Sequence, residues 1–162
     1  MAKEIERKFL VAHDGWKKSV MSATRMRQGY ISDNEDRSVR VRTCDGKSAR
    51  LTIKIGKSAL IRDEYEYDIP LDDAEEMMGM ALGNVIEKVR HRVTVGQHVW
   101  EIDVFGGSLE GLVVAEVELG SVNEVPRLPD WAGREVTGDR RYSNHALATD
   151  RPRPERVYAL SN

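Results

Sequence analysis

Pairs of like charges recur along this chain at a spacing of two: Glu4/Glu6, Arg40/Arg42, Glu64/Glu66, Lys88/Arg90 and Glu116/Glu118. Two residues is the side-chain period of a β-strand, so both members of each pair project from the same face. The residue between them is apolar or aromatic each time: Ile5, Val41, Tyr65, Val89 and Val117. The pattern commits these segments to strands with one charged face and one apolar face, because a helix would scatter both sets around its axis. The charges also suggest a ligand. Two carboxylates on one strand can hold a hard cation through oxygen, and two bases on another can hold the phosphate that such a cation bridges.

The same alternation predicts strands near 3–11, 24–31, 38–44, 49–55, 61–69, 85–95, 98–105 and 112–119. The connections are short, so successive strands should be antiparallel neighbours. Asp45-Gly46 suits a tight primed turn, and Gly56, Gly96-Gln97 and Gly106-Gly107 open later connections. Helical stretches are expected at 14–22, at 72–83 and near 138–149. In the second, Asp72 is read as the N-cap, with Glu75 three positions on and Met77, Met78, Met80, Ala81 and Leu82 following. These methionines are expected to fill an irregular core. Pro126-Arg127-Leu128-Pro129 reads as an irregular link, and 151–162 as a mobile tail after a single domain over 1–150.

A chain of 162 residues supports one domain with a substantial core. Its 25 bases and 27 acids leave a net charge near −2, which argues against nucleic-acid binding. Cys44 is the single cysteine, so no internal disulfide can form, and a reducing, cytoplasmic setting is expected. No apolar run is long enough for a membrane-spanning helix.

On the phase set by Glu4, Glu6 and Lys8, the polar faces carry nine acids and nine bases with few neutral polar residues between them. Each strand alone could simply turn such a face to water. Eight antiparallel strands can instead close into a barrel, which removes the exposed edges. The predicted fold is therefore α+β, mainly β: a closed eight-stranded antiparallel tunnel with a few flanking helices. Periodicity does not choose between a charged lumen and an apolar, lipocalin-like one. The shared ligand of the Glu-x-Glu and Arg-x-Arg pairs puts the charged lumen first, with Ile5, Phe9, Val41, Ile53, Tyr65, Val89, Trp100, Ile102 and Val117 pointing out and helices covering part of that exterior.

Glu4-Ile5-Glu6-Arg7-Lys8 resembles the Glu-x-Glu-x-Lys opening of CYTH-domain proteins, the triphosphate tunnel metalloenzymes. The likeness continues in order through Arg40-x-Arg42, Lys54, Glu64-x-Glu66, Lys88-x-Arg90, Asp103 and Glu116-x-Glu118, covering roughly 3–149. Arg27-Gln28-Gly29-Tyr30 and the Arg141-Tyr142 region resemble the short bacterial branch. The resemblance implies a tunnel that binds triphosphate with Mg²⁺ or Mn²⁺. It implies metal carboxylates at Glu4, Glu6, Glu116 and Glu118, with Glu64, Glu66 and Asp103 as secondary candidates. Lys8, Arg40, Arg42, Lys54, Lys88 and Arg90 would grip phosphate. Apolar barrel exteriors in the family suggest a homodimer.

The expected activity is hydrolysis of a triphosphate, foremost inorganic tripolyphosphate, with Tyr30 or Lys88 taking the proton from water. Lys88 lies among other cations, which can lower a lysine pKa. A class IV-type adenylyl cyclase, a thiamine triphosphatase and a non-catalytic polyphosphate-binding module are the alternatives. Gly46-Lys47-Ser48 and Gly56-Lys57-Ser58 lack the upstream glycine of a P-loop, since Val41 and Leu51 stand there. His13, His91, His98 and His145 show no zinc-ligand spacing. No Gly-x-Ser-x-Gly elbow occurs.

Overall fold

The computed structural model describes residues 3–149, and the expected tail at 151–162 lies outside them. The strands are β1 (Lys3–Val11), β2 (Val20–Asn34), β3 (Arg37–Cys44), β4 (Ser48–Ile55), β5 (Ile61–Ile69), β6 (Leu82–Val95), β7 (His98–Phe105), β8 (Val113–Glu118) and β9 (Ala132–Glu135). Two helices, α1 (Leu71–Met78) and α2 (Asn144–Thr149), and three short 3₁₀ turns make up the other regular elements of the described residues. The strands form one antiparallel sheet in the order β5-β4-β3-β2-β6-β7-β8-β1, and pairing of β5 with β1 closes it into an eight-stranded barrel.

Burial settles which face points inward. Arg40, Arg42, Lys54, Lys88, Arg90, Asp103 and Glu116 are all buried, at 9% exposure or less. The opposite faces of β1, β6, β7 and β8 join an outer apolar cluster that includes Ile5, Phe9, Val93, Trp100, Ile102, Ala115 and Val117. Trp16, from the 3₁₀ turn at Gly15–Ser19, and Trp131 cover this cluster from outside. The Trp100 ring centroid lies 5.4 Å from Phe9 and 5.4 Å from Trp131. Trp100 is fully buried. Trp100→Ala should therefore lower unfolding free energy by about 3–5 kcal/mol, measured by urea titration. A midpoint unchanged from wild type would show that the outer cluster does not support the barrel.

Along the inward faces, charge gives way to apolar residues at one end. Leu10 follows Lys8, Ile86 precedes Lys88, Phe105 follows Asp103 and Val114 precedes Glu116, each two residues away. These four join Leu109, Leu112, Tyr142, Leu147 and Ala148 in a second cluster. That cluster fills the barrel interior beyond the charges, so α2 seals an end of the lumen rather than coating its exterior. Gly83 allows this close approach: its φ is +64°, and a Cβ there would sit 2.5 Å from the Ala148 carbonyl oxygen.

Several boundaries differ from expectation for identifiable reasons. β2 begins at Val20, inside the expected helix at 14–22, because Val20 and Ser22 pair with Val93 and Arg92 on the long β6 edge. β6 begins at Leu82, so α1 ends at Met78 and not at 83. The α1 N-cap is Pro70 and makes no side-chain capping bond, and Asp72 lies inside the first turn. Residues 138–149 divide into a 3₁₀ turn (Arg140–Tyr142) and α2. The ninth strand, Ala132-Gly133-Arg134-Glu135, has no apolar alternation to announce it. It forms because β5 pairs with β1 only at Lys3–Ile5, and β9 pairs farther along at Phe9 and Val11. Arg7 secures it with two hydrogen bonds to Glu135, at 2.8 and 2.7 Å. Among the described residues, no helix is long and apolar enough to cross a membrane.

Candidate active site

Strand register determines which charges stand side by side on the lumen wall. On β1 and β8, Glu6 stands opposite Glu118 and Lys8 opposite Glu116. On β7 and β8, Glu101 faces Glu116, and on β6 and β7, Arg90 faces Asp103. Across the closing seam Glu4 faces Arg62, while Lys54 on β4 faces Glu64 on β5. Alternation on each strand and closure of the sheet thus bring all of these side chains into one interior.

Two groups of ion pairs result. In the first, Asp103 accepts from Lys88 Nζ at 2.7 Å and from Arg90 Nε and Nη2 at 2.8 and 2.9 Å, which occupies both of its oxygens. Arg90 and Lys8 each approach Glu116 to 3.9 Å. In the second, Lys54 Nζ lies 2.9 Å from Glu4 and 3.4 Å from Glu64. Glu66 and Glu118 are exposed, and Glu66 pairs with Arg50. Tyr30 joins the apolar end cluster. It also lines a cavity of about 670 Å³ together with Glu6, Lys8, Lys54 and Arg62.

The remaining charges are unbalanced. Arg42 donates Nε and Nη2 to the amide oxygen of Gln28 at 2.9 and 2.7 Å, and Arg40 donates to the Thr52 hydroxyl at 3.2 Å. Among the described residues, neither buried guanidinium has a carboxylate within ion-pair distance. Glu6 is the converse: no base pairs with it there, and Glu4 and Glu116 are its acidic neighbours. Gln28 and Thr52 are site residues that charge counting passes over. Both stand on the lumen phase, Gln28 two residues before Tyr30 and Thr52 between Arg50 and Lys54.

The pKa shifts follow this imbalance. Burial, then the Glu116 and Glu4 charges, pushes the Glu6 carboxyl well above its usual range. Burial and a proton shared with Glu4 raise Glu64 to about 8. Burial acts upward on Glu116 as well, but Lys8 and Arg90 outweigh it and bring that group to about 2. Asp103 is held far below the carboxylate range despite its burial, because Arg90 and Lys88 surround it. Burial, reinforced by Arg90 and Arg42, pulls Lys88 down to about 7 even beside Asp103. Burial and the Arg40 charge lower Arg42 to about 9, so it is still cationic at neutral pH.

Among the described residues, no three His, Cys, Asp or Glu side chains form a ready-made metal cluster. The donor chemistry nevertheless fits a hard cation. The acids offer only oxygen, and a cation beside Glu6, Glu4 and Glu116 would offset the crowding of acids that now opposes ionisation of Glu6. Magnesium takes one or two carboxylates and completes its shell with water and substrate phosphate, so a preformed trio is not required.

The CYTH domain model matches residues 2–149. The chain belongs to the CYTH family. Among CYTH relatives, it is 47% identical over 148 residues to an inorganic triphosphatase of Acetivibrio thermocellus, covering 91% of this chain and 94% of that one. It is 38% identical over 156 residues to an inorganic triphosphatase of Nitrosomonas europaea, covering 92% and 99%. The crystal structure of the inorganic triphosphatase NE1496 superposes with a TM-score of 0.65 at 35% identity, covering 94% of this chain and 99% of that one.

Proposed function

We propose that this protein hydrolyses inorganic tripolyphosphate, using Mg²⁺ or Mn²⁺ held at Glu4, Glu6, Glu116 and Glu118. The observation that carries this reading is the pair of opposite deficits inside one lumen. Arg40 and Arg42 are buried without a carboxylate partner, and Glu6 is half-buried with no base within ion-pair distance among the described residues, Lys54 and Lys8 acting on it only from farther away. A buried unpaired charge is strongly unfavourable, so an anion at one place and a cation at the other would stabilise the interior together. A metal-triphosphate complex supplies both. That the relatives at 47% and 38% identity are inorganic triphosphatases favours the same substrate.

Each group then has a physical role. Arg40, Arg42 and Arg90 offer phosphate oxygens the guanidinium N–H groups that Thr52, Gln28 and Asp103 do not take, while Lys8 and Lys54 act as point charges. Asp103 fixes Lys88 and Arg90 in place. A cation held by Glu4, Glu6, Glu116 and Glu118 would supply charge neutralisation at the transferring phosphoryl group. Arg40 and Arg42, which have no carboxylate partner, stabilise charge that spreads over the phosphoryl oxygens as the anhydride bond opens. Lys88 takes the proton from the attacking water: a value of about 7 leaves a substantial neutral fraction at physiological pH. Tyr30, in the cavity wall, orients the chain.

The test is a substrate panel. Tripolyphosphate, ATP and thiamine triphosphate are offered separately with each cation, and phosphate release is measured. Tripolyphosphate should turn over fastest, and chelation of the cation should reduce release to background. Faster turnover of an organic triphosphate, or cyclic AMP as the main product of ATP, would overturn the assignment.

A further inference from the structure

Gln28 is fully buried on β2, with its side chain on the lumen face between Arg42 and Ile86 in register. Its amide oxygen accepts both hydrogen bonds from the Arg42 fork. Chemistry fixes that orientation, since a guanidinium carries only donors and the reversed amide would set N–H against N–H. The Nε2 group is therefore directed away from Arg42, and among the described residues it has no acceptor. A buried amide donor without a partner destabilises a fold. The Nε group of neighbouring Arg40 is also buried without an acceptor. Two orphaned N–H donors thus accompany the two guanidiniums that lack carboxylates. Native interiors satisfy nearly all such groups, so these two neighbouring donors are open to an oxygen-bearing ligand in the lumen.

We propose that Gln28 is a substrate-binding residue: its Nε2 donates to an oxygen of the triphosphate chain while its Oε1 holds Arg42 in position. The proposal rests on the lumen being the triphosphate site. A neutral donor has a specific use there. It adds a directed hydrogen bond without adding to the mutual repulsion of Arg40, Arg42 and Arg90, which already lowers the Arg42 pKa. A lysine at the same place would aggravate that repulsion, and a glutamate would repel the phosphate.

A double-mutant cycle separates direct contact from support of Arg42. Gln28→Met, Arg42→Met and the double variant are compared with wild type by KM and kcat for tripolyphosphate and by the melting-temperature rise that tripolyphosphate induces with Mg²⁺. Gln28→Met preserves volume and removes the orphan donor, so it should fold, and Gln28→Leu is the second variant. The expected result is a rise in KM on the order of tenfold for Gln28→Met, with kcat changed less. The double variant should show a further severalfold rise over Arg42→Met, with a matching loss of ligand-induced stabilisation. If Gln28→Met has no additional effect in the Arg42→Met background, Gln28 acts only through Arg42 and the inference fails. A wild-type protein that neither cleaves tripolyphosphate nor is stabilised by it would instead overturn the assignment of the lumen, which is a distinguishable outcome.

Discussion

Glu6→Gln is expected to reduce metal-dependent phosphate release at least about 100-fold, a larger loss than the 10–100-fold typical of a residue that only supports a metal ligand. The substitution keeps shape and polarity and removes one charge. Glu6 lies between Glu4 and Glu116, and burial with those two charges holds its carboxyl well above the usual range. Without ligand, ionising this carboxyl is therefore unfavourable to the fold. The metal-free Glu6→Gln protein should melt at or above the wild-type temperature while losing the stabilisation that Mg²⁺ and tripolyphosphate give together. Opposite effects on intrinsic stability and on ligand response distinguish a charge kept for binding from one kept for structure. Near-wild-type turnover by Glu6→Gln would remove Glu6 from the metal site.

Lys88→Met should cost about 10²–10⁴-fold in kcat/KM and abolish the rise of that parameter through pH 7. In the wild type, burial and the Arg90 and Arg42 charges bring the amine to about 7, so its neutral, proton-accepting fraction grows across that pH. If Lys88 takes the proton from water, wild-type kcat/KM must rise through pH 7 and then level off. A fall through pH 7 would identify the cationic form as the active one and make Lys88 a phosphate clamp. Stability carries a related signature. The folded group gives up its proton near 7, whereas the unfolded lysine keeps it to about 10.4, so the unfolded state binds more protons in that window. The contribution of Lys88 to stability therefore increases as pH rises from about 7 to about 10.

The barrel was legible in the sequence because period-two alternation is a local signal that survives in each strand separately. β1, β5 and β7 lie where the alternation places them. The charged pairs also carried information about the interior, since their spacing identifies which residues share a face. What local patterning does not encode is completion by distant partners. β9 has no pattern of its own and exists because β1 retained a free edge. The sealed end of the lumen was obscured because Leu10, Ile86 and Val114 occupy the same phase as the charges, and only the packing of α2 against them shows where the polar section stops. Gln28 and Thr52 were passed over for a related reason. As neutral residues they stand out only once Arg42 and Arg40 are seen to depend on them and on no acid.

Hydrolysis by this protein requires a cation and a triphosphate to meet inside the barrel. Anomalous diffraction from crystals soaked with Mn²⁺ and tripolyphosphate examines that directly. The predicted result is a manganese peak in contact with the Glu6 carboxylate and at least one of Glu4, Glu116 and Glu118, with phosphate density reaching Arg40 and Arg42. Manganese and phosphate found only outside the barrel, with the lumen charges still paired as they are now, would contradict it.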